Sequence, residues 1–101
     1  MNRIQDNPKD NWGKTPLHWA AKNGHLSLCQ LIVENVDDKN PKDVSGWTPL
    51  HWAAMDGHLS IFKLIVENVD DKNPQDDNGE TPLDYAVSNN HLEIQKLFEH
   101  A

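Results

Sequence analysis

Cysteine occurs once in this chain, at Cys29. A single thiol excludes a disulfide framework and a Cys-x-x-Cys metal knuckle. It fits a reducing compartment, so an intracellular home in cytoplasm or nucleus is expected. Long aliphatic runs are missing too. Leu31-Ile32-Val33 is as long as they become, far short of the roughly 20 apolar residues that span a bilayer. The first ten residues are mostly polar, so no signal peptide is expected. Positive charge is scarce: Lys and Arg number 9 against 16 Asp and Glu, for a net charge of −7. That balance argues against a nucleic-acid backbone as partner, because phosphates need a basic patch. A basic protein surface is the easier electrostatic match.

What the chain has in plenty is repetition. Thr15-Pro16-Leu17-His18-Trp19-Ala20-Ala21 returns 33 residues later as Thr48-Pro49-Leu50-His51-Trp52-Ala53-Ala54. It returns again, altered, as Thr81-Pro82-Leu83-Asp84-Tyr85-Ala86-Val87. Leu31 to Pro41 recurs unchanged as Leu64 to Pro74. A fixed period of this length signals a stacked array in which each unit buries its apolar face against its neighbours. Such arrays offer an extended surface, which favours binding over chemistry.

Within one unit, Thr15 and Pro16 form a helix start: the hydroxyl accepts an orphan N–H, and proline has no N–H to waste. Leu17, Ala20 and Ala21 then make one apolar face, and Gly24 suits the left-handed position that ends the helix. A second helix is expected from about Leu26 to Glu34. It is apolar on two sides, as an element covered by neighbouring units must be. Asn35 is a candidate for a left-handed C-cap. Asp43-Val44-Ser45-Gly46 has the chemistry of a type I turn, repeated at Asp10-Asn11-Trp12-Gly13 and Asp76-Asp77-Asn78-Gly79.

The period and the Thr-Pro-Leu-His-x-Ala signature resemble the ankyrin-repeat family. The resemblance spans residues 7 to 101 and implies an all-α solenoid of stacked antiparallel helix pairs with projecting turn fingers. It divides the chain into an N-terminal segment and first finger (1–14), repeat one (15–47), repeat two (48–80) and a C-terminal capping repeat (81–101). Val36-Asp37-Asp38 and Val69-Asp70-Asp71 depart from the family's usual Gly-Ala-Asp and make those loops more acidic. The capping reading rests on Gln95 and Glu99, polar where Cys29, Phe62, Val33 and Val66 stand. Repeat one keeps Leu17, Leu26, Leu28 and Ile32, so its outer layer is expected to be uncovered, shielded by residues 1–6 with Ile4, or buried in a homodimer.

The resemblance also implies a concave binding groove lined by fingers and first helices. Carried over position by position, that groove comprises Asn11, Trp12, Lys14, Trp19, Lys22 and Asn23 in the first unit. In the second it comprises Val44, Ser45, Trp47, Trp52, Met55 and Asp56. In the third it comprises Asp77, Asn78, Glu80, Tyr85, Ser88 and Asn89. All four tryptophans fall there. Two roles stand open for them: partner anchors, or an aromatic ladder of Trp19, Trp52 and Tyr85. Trp12 and Trp47, in the turns, have the better claim to partner contact.

Chemistry finds little support. His18, His25, His51, His58 and His91 recur as framework residues, and the resemblance implies hydrogen-bond struts, His18 near Thr15 and His51 near Thr48. No His-x-x-x-His pair or Cys partner exists to hold zinc, and Asp76 to Glu80 fails as a calcium loop because Pro74 and Tyr85 would fall where acids are required. Cys29 aligns with Phe62 and Gln95, which suits a small apolar filler. No enzyme activity, metal or cofactor is expected. The expected function is protein–protein interaction with a protein or peptide, without nucleic acid or membrane. The alternatives are an engineered or structural scaffold without native ligand, a self-associating fragment of a longer array, or, as the resemblance implies, a substrate for hydroxylation at loop asparagines such as Asn40 and Asn73.

Overall fold

The computed structural model describes residues 9–99. Ile4 and residues 1–6 lie outside that range, as does the Glu99 side chain. Among the described residues the secondary structure is six helices and no strand: α1 (Pro16–Asn23), α2 (Leu26–Asn35), α3 (Pro49–Asp56), α4 (Leu59–Val66), α5 (Pro82–Ser88) and α6 (Leu92–Glu99).

Each pair begins as the sequence predicts. Thr15, Thr48 and Thr81 are extended N-cap residues, and the following prolines open α1, α3 and α5. Gly24 (φ 76°) and Gly57 (φ 73°) stop α1 and α3 in the left-handed region. In the third unit Asn90 takes that conformation (φ 61°), which asparagine tolerates better than other side chains. Asn35 does not take it. It remains in α2, and its side-chain amide donates to the Leu31 carbonyl at 2.7 Å. Asn68 does the same to Leu64 after α4. Satisfying the carbonyl four residues back from the side chain removes the need for a left-handed turn there.

The helices stack in two layers. In one, α3 lies between α1 and α5; in the other, α4 lies between α2 and α6. Small residues make the first layer tight: Ala20, Ala21, Ala53, Ala54 and Ala86 are all buried, with Leu17 and Leu50 fully enclosed. Phe62, Ile65 and Ile94 fill the second layer, and Phe62 meets Phe98 at 5.7 Å between ring centroids. Burying a side chain of this size stabilises by about 1.5–3 kcal/mol.

Cys29 is fully buried here, and burial pushes its thiol up to about 11. Leu17 and Ile32 also belong to the core, which corrects the reading that placed them on an uncovered outer layer. Leu28 and Leu26 are exposed, joined by Leu31.

Candidate functional site

The fingers are built by three aspartates. Asp10 Oδ1 accepts from the N–H groups of Trp12 and Lys14, each at 2.9 Å. Asp43 does so for Ser45 and Trp47, and Asp76 for Asn78 and Glu80. The turn closes from Gly13, Gly46 and Gly79 to the same three aspartate carbonyls. Adjacent fingers are tied by main-chain bonds, Val44 N–H to the Trp12 carbonyl at 2.9 Å and Asp77 N–H to the Ser45 carbonyl at 3.0 Å.

The other carboxylate oxygen of each aspartate reaches the first helix of its own unit. Trp19 Nε1 donates to Asp10 Oδ2 at 2.9 Å, Trp52 Nε1 to Asp43 Oδ2 at 3.4 Å, and the Tyr85 hydroxyl to Asp76 Oδ2. One residue type therefore fixes both the finger and the aromatic beside it. Desolvation pushes the Asp10 and Asp76 carboxyls up, but the donors aimed at them outweigh it and hold both below the ordinary value. Desolvation, together with the bonds to Asp76 and Glu80, pushes the Tyr85 hydroxyl up, so it stays a donor. Sequence reasoning missed this tie. Its trace was there to be read, as an aromatic nine residues after the finger aspartate in every unit.

Histidines join one unit to the next. His18 Nδ1 accepts the Thr15 N–H at 2.9 Å, which leaves Nε2 to donate to the Trp47 carbonyl at 2.8 Å. His51 repeats this with Thr48 at 3.0 Å and the Glu80 carbonyl at 3.1 Å. Because a main-chain N–H can only donate, these bonds require the neutral Nε2–H tautomer. Burial agrees, pushing both imidazoles below their ordinary value.

His58 and His91 reach the other way, to the carbonyls of Lys22 at 3.3 Å and Met55 at 3.0 Å. His25, their counterpart in the first unit, is exposed, and its ring has no hydrogen-bond partner among the described residues.

None of the groove residues expected from the sequence is buried. Trp12 is 57% exposed, Val44 64% and Trp19 38%. Trp47 is different. Its ring centroid lies 4.6 Å from Trp52, 4.6 Å from Tyr85 and 5.5 Å from His51, so it is a rung between two units and not a free finger-tip anchor. Lys14 occupies the equivalent place one unit earlier, with Nζ 5.6 Å from the Trp19 ring and 5.3 Å from Trp52. Glu80 occupies it one unit later and accepts from the Tyr85 hydroxyl at 3.0 Å. The aromatic ladder exists, therefore, but Trp19 and Trp52 are bridged by lysine and only Trp52 and Tyr85 by a ring.

In the loops, the Asn40 amide donates to the Asp71 carbonyl at 2.9 Å, and Asn73 Oδ1 accepts from the Leu83 N–H at 3.2 Å. Among the described residues no three His, Cys, Asp or Glu side chains gather where they could hold a metal ion, and no helix is long and apolar enough to cross a membrane.

Comparison with known proteins agrees with this architecture. A family model described as ankyrin repeats (3 copies) matches residues 2–76 and 35–100. A similar stretch occurs in an Arabidopsis thaliana protein, "Acyl-CoA-binding domain-containing protein 1", 46% identical over 33 residues. That stretch is 33% of this chain and 10% of the Arabidopsis protein.

Proposed function

The chain belongs to the ankyrin-repeat family, and from that premise we propose that it binds a protein or peptide through the face shared by its fingers and first helices. Ankyrin repeats are generally protein–protein interaction modules, and the family is typically non-enzymatic. One observation carries the choice of face. Trp12, Trp19 and Val44 stand exposed together on it, on fingers that aspartate bonds and finger-to-finger main-chain bonds hold in place. Exposed aromatic side chains on a preorganised backbone are the usual anchors of an interface. The three units also differ most along this face, while the threonines, prolines and buried leucines and alanines beneath it hardly change.

The stretch shared with the Arabidopsis protein is no longer than one repeat, so it supports the repeat and not acyl-CoA binding by this chain. The test is a pull-down with the full chain and a Trp12→Ala/Val44→Ala variant. These two side chains reach solvent, so the variant should fold normally and lose its captured partners. Unchanged capture would sink the choice of face. Trp47 is unsuitable for this experiment, because its truncation would also remove ring contacts between units.

A specific observation favours a second reading, self-association. Leu26, Leu28 and Leu31 are 37%, 44% and 53% exposed along α2. The counterparts of Leu28, Ile61 and Ile94, are buried. A two-fold dimer would cover these leucines. Light scattering across a concentration series tests it: a constant monomer mass rejects the dimer, and Leu28→Glu should abolish one that forms.

A further inference from the structure

Charge is distributed unevenly along the finger and first-helix face. At its first unit stand two ammonium groups. Lys14 Nζ lies 5.6 Å from the Trp19 ring centroid and 5.3 Å from Trp52. Lys22 Nζ lies 5.0 Å and 5.2 Å from the same two rings. Two like charges are thus held against one pair of tryptophans, in a chain whose net charge is −7. Neither lysine forms an ion pair among the described residues. The Asp10 carboxylate is already engaged: Oδ1 takes two main-chain N–H groups and Oδ2 takes the Trp19 indole. Among the described residues neither ammonium donates a hydrogen bond, although Lys14 acts on the Asp10 carboxylate electrostatically.

At the far unit the sign reverses. Asp77 and Glu80 are exposed there, and from Asp76 to Asn90 the sequence contains no Lys or Arg. Between the two ends stand Val44, Trp47, Trp52 and Met55, with Ser45 and Asp56 exposed among them, so the face turns from positive to negative along its length.

We infer that this face takes a dipolar segment of a partner protein, with an acidic side chain on Lys14 and Lys22 and a basic one on Asp77 and Glu80. The inference rests on the reading that this face is the binding face, and adds the chemistry of what it binds. A carboxylate at the lysine end gains charge-assisted hydrogen bonds beside tryptophans that exclude water. A cation at the other end meets carboxylates with no competing positive charge. The two ends are two unit steps apart. At about 8–10 Å per step between packed helices, an extended strand needs about six residues to cover the distance, at roughly 3.3 Å each. Complementary ends of opposite sign also fix the direction in which the segment lies, since the reversed orientation would set like charges together.

The experiment is selection of a random displayed peptide library on the immobilised full chain, followed by NMR mapping of the enriched peptides. Peptides should emerge with an acidic and a basic residue separated by about six positions, and should shift the Trp19 and Trp52 indole signals. Lys14→Gln/Lys22→Gln should weaken them about tenfold or more, as loss of a charged hydrogen bond does. Lys14→Arg/Lys22→Arg should retain binding, and Asp77→Asn/Glu80→Gln should weaken it independently. Peptides that map to this face but lack segregated charge, or ignore the lysine-to-glutamine change, overturn the inference and leave the binding face standing. Peptides that map elsewhere overturn both. An empty selection also counts against the inference.

Discussion

The second and third units share a backbone plan and differ wherever the second reaches forward. His51 donates across the junction to the Glu80 carbonyl, whereas Asp84, in its column, accepts from Thr81 of its own unit. Gly57 leaves room for the His91 ring, and a Cβ there would lie 2.6 Å from Nδ1. Asn90, its counterpart, carries a side chain. Phe62 is fully buried against Phe98, whereas Gln95 turns back and donates to the Ala86 carbonyl at 3.3 Å. At two of these positions, Asp84 and Gln95, the forward contact of the middle unit is replaced in the third by a group satisfied within its own unit. The pattern supports the proposal that the third unit is a cap, set apart by a small set of side chains.

The largest effect that could break this comparison is removal of residues 81–101. The middle unit would then present Phe62, Leu50 and Ile65 to water, and arrays of fewer than about three units seldom hold together. Loss of helical circular dichroism, or aggregation on size-exclusion chromatography, is expected. A folded monomer would show that the third unit does not act as a cap.

A sharper test exchanges residues between units within one column. Phe62→Gln gives the middle unit the third unit's residue at a site with no solvent exposure. It should cost about 3–5 kcal/mol, the range for emptying a buried aromatic site, with the added penalty of a buried amide. Gln95 is only half-buried, so Gln95→Phe should change stability by less than about 1 kcal/mol while raising self-association. Urea unfolding of both variants measures the asymmetry. Equal costs would mean that the two units do not differ at this position.

Smaller again is the exchange at the helix ends. Gly57→Ala places a Cβ against His91 on a residue at φ 73° and should cost about 1–3 kcal/mol. Asn90→Gly keeps the left-handed turn and should shift stability by only a few tenths of a kcal/mol, since either residue serves there. The same urea titrations decide it, and a mild Gly57→Ala would mean that the His91 ring swings aside.

Much of this was legible before the fold was seen. The period, the Thr-Pro helix starts and the left-handed glycines are local signals, and α1 begins and ends where they put it. Histidine struts followed from the resemblance, but their partners did not, because the Trp47 and Glu80 carbonyls lie 29 residues away in sequence. The ring contacts of Trp47 escape the sequence for a related reason. Lys14 and Glu80 share its column, and a polar column reads as surface. In the fold that column sits between successive first-helix aromatics, where lysine, tryptophan and glutamate each find a contact. Asn35 failed as a left-handed cap because its own side chain offered the backbone a nearer partner.

The smallest effect expected is a pH dependence carried by His18 and His51. His18 and His51 are held below their ordinary value of 6.5, by burial first, with the bonds to the Trp47 and Glu80 carbonyls acting in the opposite direction. Protonation would put a second ring proton on Nδ1, which faces the Thr15 or Thr48 N–H. The unfolded chain therefore takes up protons at a higher pH than the folded one. Between the two values the unfolded state binds more protons, so stability rises with pH. The contribution of each histidine is complete above about 6.5 and is lost as pH falls below it. Asp84 replaces this histidine in the third unit. Urea midpoints measured between about pH 7.5 and 5 should fall on acidification. A His18→Gln/His51→Gln variant, less stable throughout, should lose most of that slope; an unchanged slope would place the titrating groups elsewhere.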